Sequence, residues 1–368
     1  MSAQEKKSQS KFLSVIISAL KAALQPIISI IVASLIAVFL VMWVKHAGFF
    51  TSAHSLFGAI WKGSFGNARN FAETIVSATP LIFTGLANAV AFKTGLFNIG
   101  TEGQFMIGSI CATIVALIPG IPTIIHIPLV LICGIVGGAL WAAIPGFLKA
   151  KRGTNEVVNT IMMNYIAYAL VSYLVLKPFN LKGQATTPVI EKSAMLWRFM
   201  GENYRINIGI FIAIIVAILV YFLFWKTTTG YEIRAVGLSP YAAEYGGINV
   251  KKNIVLAMVI SGAIAGLGGA CHLSGVLHSG YTGSVGYGFD GITVALIAKS
   301  NPIGAIFSAI LLGALNNCSL TLQLQQIPKE IVVLIQALII IFVAADYAYK
   351  LLKQRFSNRK KKGVIVNG

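Results

Sequence analysis

Asn98, Thr101, Glu102 and Gln104 crowd together among Gly95, Gly100 and Gly103, just before a long apolar run. Two amides and a carboxylate beside the free N–H groups of a helix start can hydrogen-bond a polar solute. The same residues also fit a plainer role, as a turn that caps the helix after it. A second stretch, His278 to Asp290, reads HSGYTGSVGYGFD. Its Tyr281, Tyr287 and Phe289 could stack on a planar ring, a contact worth about 1–3 kcal/mol per base in nucleic-acid systems. Equally, they fit the aromatic belt of a membrane interface. Asp290 precedes an apolar run, as a solute contact or as that helix's N-cap. Asn155 and Asn159 lie one helical turn apart on a shared face, with Glu156 and Asn164 nearby. Solute contact and helix-to-helix hydrogen bonding both account for them.

Other chemistries lack their parts. The sequence contains no G-x-x-x-x-G-K-[ST] phosphate cradle, no H-E-x-x-H and no G-x-S-x-G elbow. Cys111, Cys133, Cys271 and Cys318 form no CxxC pair and read as small apolar filler. No cofactor or metal is expected in this chain.

Membrane helices must position these side chains. Hydrophobic residues make up 57% of the chain, charged residues 11%, and mean hydropathy is +0.80, outside the range of soluble domains. Stretches able to cross about 30 Å of hydrocarbon lie near 26–44, 71–92, 104–119, 127–148, 157–176, 207–225, 253–276 and 330–348. The apolar region 284–317 is interrupted by Lys299-Ser300-Asn301-Pro302, which predicts two pieces rather than one helix. The expected fold is an all-α membrane protein, a polytopic bundle of about ten transmembrane helices with broken helices and a short helix on its cytoplasmic face. Its expected parts are a basic cytoplasmic segment 1–25, a transmembrane domain 26–348 and a basic tail 349–368. Residues 11–25 fit an amphipathic interfacial helix, or an extension of the first span. The first apolar run is too long for a signal peptide and is expected to remain in the membrane.

The formal charge of +18 comes from basic residues in short loops, so it calls for no nucleic acid. Of the 29 Lys and Arg, twenty fall on the side of both termini and nine on the other. That bias predicts both termini in the cytoplasm. Gly134/Gly138 and Gly262/Gly266, each pair four residues apart, predict close helix packing.

Between two apolar spans lies a polar insert, TTGYEIRAVGLSPYAAEYGGINV, from Thr228 to Val250. Ser239 suits an N-cap and Pro240 the first helical position, with Gly246-Gly247 as the stop. The resulting helix, Tyr241, Ala242, Ala243, Glu244 and Tyr245, is too short to stand alone and must pack against something. A contact with another protein is the favoured reading, an ordinary loop the plainer one.

Three segments carry a resemblance: Thr229–Gly237 with Ala242–Val250, Gly95–Gly108 (GLFNIGTEGQFMIG) and Gly288–Leu296 (GFDGITVAL), joined by Asn155–Asn159. Together they resemble ABC-importer permeases of the branched-chain amino acid, ribose and nucleoside group, from about residue 70 to 345. The GLFNIGTEGQ form is similar to the nucleoside branch associated with basic membrane proteins. The resemblance implies a multi-pass subunit of a bacterial plasma-membrane importer. Its partners would be a cytoplasmic ATPase carrying ATP-Mg, a second permease subunit and an external substrate-binding lipoprotein. It also implies that 239–247 is the ATPase-coupling helix. Lys299–Pro302 departs from the Gly pair common in the sugar branch. An ion-coupled transporter would need ionisable groups deep in its spans, whereas Glu73, Lys93 and Asp346 lie near predicted ends.

Overall fold

The computed structural model describes residues 27–201, 203–343 and 345. The expected amphipathic helix at 11–25 and the tail 349–368 lie outside the described residues. Those described form helices and no strand beyond an isolated antiparallel bridge between Thr186 and Tyr281. Two compact units divide the chain, one of Ala59–Thr321 and a smaller one of Met1–Gly58 with Leu322–Gly368.

In the smaller unit, α1 (Ile27–Lys45) leads into the start of α2 (Phe49–Ser64). Lys45 Nζ donates to Ser55 Oγ at 2.9 Å, and Ser55 Oγ donates to Gln325 Oε1 at 3.3 Å. The phenyl rings of Phe39 and Phe49 sit 5.4 Å apart. The unit also holds the apolar helix Glu330–Val343, numbered α13 below. Residues 49–64 lie outside the expected spans and form a helix.

The larger unit is built round α3 (Ala68–Lys93), which is buried along most of its length. Asn67 opens it by accepting from Asn70 N at 2.8 Å. Around it stand α4 (Thr101–Ala116), α5 (Thr123–Arg152), α6 (Glu156–Leu176) and α7 (Gly209–Lys226), then α8 (Thr228–Leu238) and α9 (Pro240–Tyr245). The chain continues with α10 (Val250–His272), α11 (Tyr287–Ile297) and α12 (Pro302–Leu324). A five-residue π turn, Leu273–Leu277, extends α10.

The most extensive packing joins α5 to α10, followed by α4 to α10 and α4 to α5. Glycine makes it possible. A Cβ on Gly134 would lie 2.9 Å from the Gly266 carbonyl oxygen, and one on Gly138 would lie 2.8 Å from Gly266 Cα. Gly108 of α4 meets the same Gly266 backbone. The Gly134/Gly138 and Gly262/Gly266 pairs therefore bring helix backbones into direct contact, as small residues do in membrane bundles.

Among the described residues seven helices are long and apolar enough to cross a membrane: α1, α3, α5, α6, α7, α10 with its π turn, and α12. The remaining three expected spans correspond to α4, α11 and α13, which are shorter. The split at Lys299–Pro302 is present. Ser300 N donates to Ala295 O at 2.8 Å, Asn301 Oδ1 caps α12 by accepting from Ile303 N at 3.0 Å, and Pro302 opens it. Lys299 and Ser300 both adopt left-handed backbone, with φ of 51° and 55°, which crowds a Cβ against its own carbonyl. Ser300→Gly should therefore stabilise the protein by about 0.5–1 kcal/mol, read as a higher unfolding temperature in detergent.

Candidate functional site

After Lys93 the chain leaves the helix but not the interior. Gly95, at φ 78°, reverses it, and Leu96 N reaches back to Ala91 O at 3.0 Å. Residues up to Gly100 then run without regular structure while Leu96, Asn98 and Gly100 stay buried. Irregular backbone among apolar helices survives only when its polar groups are partnered, and side chains from several helices do this. Thr160 Oγ1 of α6 accepts from Ile99 N at 3.3 Å. Asn164 Nδ2 donates to Ile99 O at 3.0 Å while its Oδ1 accepts from Gly103 N at 2.9 Å. Thr101 Oγ1 donates to Asn88 Oδ1 of α3 at 2.9 Å. Asn98 Nδ2 donates to Ser261 Oγ of α10 at 3.0 Å and to Gln104 Oε1 at 3.1 Å, and Gln104 Nε2 returns a bond to Asn98 Oδ1 at 3.3 Å. Asn98 and Gln104 thus face each other inside the network.

Glu102 ties the network to a distant part of the chain. Its fully buried carboxylate accepts from Ser284 Oγ at 2.5 Å, Gly286 N at 2.9 Å and Gly288 N at 2.6 Å. It caps α11 from another helix, because the N-cap residue, Gly286, has no side chain to do so. The alternative of Asp290 as that cap is corrected: Asp290 lies inside the first turn and accepts from Asn316 Nδ2 at 3.3 Å.

The three aromatics meet three surroundings. Tyr287 packs edgewise on His272, with centroids 5.1 Å apart, and 5.9 Å from Phe105. Tyr281 lines a narrow cleft with Met106, Ser109, Thr113 and Val171, and Phe289 is 44% exposed. Asn159 lies outside the cluster, donating to Thr154 Oγ1 at 2.5 Å while Asn155 caps α6 by accepting from Val157 N at 2.9 Å. Thr160, Asn88 and Ser261 belong to the network but were not singled out from sequence. A hydroxyl or amide facing buried chain rather than water leaves no signal in spacing.

The segment between α6 and α7 is strapped to the end of α10. Thr187 N, Ile190 N and Leu196 N donate to the carbonyls of Gly280, His278 and Ser274, each at 2.9 Å. Arg205 forms a two-pronged ion pair with Glu73. Arg198 Nη2 lies 2.7 Å from His278 Nε2. Burial, and then the Arg198 guanidinium, hold the His278 ring below its usual pKa.

The polar insert is two helices, not one. Thr227 opens α8, its Oγ1 accepting from Gly230 N at 3.0 Å. Ser239 opens α9, its Oγ accepting from Ala242 N at 3.3 Å, with Pro240 first and Gly246 at its end. Ala243 is buried, whereas Leu238, Tyr241 and Tyr245 are 88%, 86% and 98% exposed and Ala242, Glu244 and Gly247 also face out.

A helical bundle that gathers its polar side chains on a broken, buried segment has the construction of a solute-conducting membrane protein. Residues 70–344 match the family described as branched-chain amino acid transport system / permease component, and the chain belongs to it. It is 40% identical over 318 residues to the guanosine ABC transporter permease protein NupP of Bacillus subtilis (strain 168), covering 85% of this chain and 90% of that one. It is also 40% identical over 301 residues to the nucleoside ABC transporter permease protein NupB of Lactococcus lactis subsp. cremoris (strain MG1363), covering 78% and 83%. The glucose ABC transporter permease protein TsgB13 of Haloferax volcanii is 27% identical over 309 residues, covering 80% and 81%.

Proposed function

We propose that this chain is a permease subunit of an ATP-driven importer whose solute is a nucleoside. The observation that carries the reading is 40% identity, over most of both chains, to permeases named for guanosine and for nucleosides; the relative named for glucose is more distant. In this reading α4, α11 and α13 complete about ten passes, with both termini in the cytoplasm of a bacterial cell and basic flanking segments at 1–25 and 349–368. A related second permease chain stands beside this one, and an external lipoprotein delivers the solute. The ATPase, with its ATP-Mg, is a separate cytoplasmic polypeptide that receives α9. The short capped helix with two free-standing tyrosines supports that contact.

Nucleoside uptake into proteoliposomes carrying the whole complex should require ATP inside the ATPase-facing compartment. Uptake by this chain alone, driven by an ion gradient without ATP, would overturn the reading. Replacing Glu244 and Tyr245 together with Ala should strip solute-stimulated hydrolysis by about tenfold or more, since exposed aromatics are common hot spots at interfaces. Unchanged stimulation would remove α9 from the ATPase contact.

A further inference from the structure

Gly237 is the penultimate residue of α8, two residues before the Ser239 cap of α9. Its backbone presses on the turn that ends α3. A Cβ there would overlap the Lys93 carbonyl oxygen and come within 3.1 Å of Gly95 N. From the other side, a Cβ on Gly95 would lie 3.5 Å from both Cα and O of Gly237. Two glycine backbones meet here with no side chain between them.

Little slack exists on either side of this contact. Ser239 ends α8, its N–H donating to Ala235 O at 3.1 Å, and begins α9 through its hydroxyl. At its start α8 is seated on α7, where a Cβ on Gly230 would overlap the Leu223 carbonyl. Asn253 Nδ2 of α10 holds α8 from a third direction, donating to Glu232 Oε2 at 2.8 Å. Beyond Gly95, the chain enters the buried segment whose groups are hydrogen-bonded to α3, α6 and α10, and α4 follows with Glu102 in its first turn. Facing side chains could absorb a small displacement by changing rotamer. Backbone resting on backbone cannot, and the buried hydrogen bonds beyond it are costly to break.

We infer that the Gly237–Gly95 contact is the joint through which movement of α8 and α9 reaches the buried segment and, by way of Glu102, the start of α11. Gly237 and Gly95 are then positioning residues of the transport cycle that touch neither solute nor ATPase. The inference rests on α9 being the ATPase contact.

The test uses the complete transporter in proteoliposomes. Gly237→Ala should leave the ATPase bound and its basal hydrolysis unchanged, while solute-stimulated hydrolysis and uptake fall about tenfold or more, the scale of ordinary coupling free energies. Solute concentration at half-maximal uptake should stay the same. Gly58→Ala is the control, because its added methyl meets nothing within 4 Å. If Gly237→Ala fails to fold, Gly95→Leu decides: its Cβ reaches contact distance of Gly237 and the rest of the side chain must displace it. Stimulated hydrolysis and uptake should then fall below those of Gly95→Ala, whose methyl only touches Gly237 and reports backbone strain alone. Coupled, full-rate uptake by folded Gly237→Ala or Gly95→Leu would overturn the inference. Loss of ATPase binding already in the unsubstituted complex would instead defeat the functional reading beneath it.

Discussion

Glu102→Leu should abolish uptake and lower the unfolding temperature of the purified protein. The leucine fills similar space but accepts no hydrogen bond, so Gly286 N and Gly288 N lose the acceptor that caps α11. Gly286 N keeps a 3.1 Å bond to Ser284 Oγ, so Gly288 N is the donor left unpartnered, at a cost of about 1–3 kcal/mol. Ser284 can turn its hydroxyl elsewhere and adds less. Glu102→Gln keeps one acceptor oxygen but points an NH2 at a donor, so it should fall between leucine and the native residue in both measurements. Thermal unfolding followed by intrinsic fluorescence, alongside ATP-driven uptake, checks this order. A leucine variant that unfolds at the native temperature would show that the cap contributes nothing to the fold.

The second large effect belongs to the glycine seam. A Gly138→Val side chain would overlap the Gly262 carbonyl and crowd Gly266 Cα, so α5 and α10 must part. Overpacking a core commonly costs about 1–3 kcal/mol, and here the obstruction is backbone, which cannot change rotamer. The separation would also draw Ser261 of α10 away from Asn98, loosening the buried segment. Lower yield of monodisperse protein, a depressed unfolding temperature and loss of uptake are expected together. Gly153→Ala is the comparison for the seam, since a Cβ at Gly153 meets nothing within 4 Å. Its φ of 65° is strained for alanine, so a small loss there reports backbone strain alone. Equal losses at the two positions would refute the seam as the source of the effect.

Much of this was legible along the chain. The apolar length of α3, α5, α6, α7 and α10 is a local property, and so is the Ser-Pro start of α9. The Gly134/Gly138 and Gly262/Gly266 pairs foretell close packing because only small residues let two helix backbones meet. The polar insert reads as one short helix, and the second, α8, is not marked in it. Its helix is held by close contacts at Gly230 and Gly237 with α7 and the end of α3 and by the buried side chains of Ile233 and Val236, a stripe too narrow to stand out in a polar run. Asn159 and Thr160 show the same limit at finer scale. They are adjacent in sequence, about 100° apart round the helix, and only the second faces the buried segment.

What the amino-acid order determined by itself is where apolar helices lie and where each can begin or end, since those depend on neighbours within a few residues. Which polar groups meet was decided only by the tertiary structure. A carboxylate at 102 and the amides of 286 and 288 are far apart in sequence, and only packing by intervening helices brings them within bonding distance. Hydrogen bonding acts over about 3 Å, so a partnership of that kind exists only once the chain has folded around it.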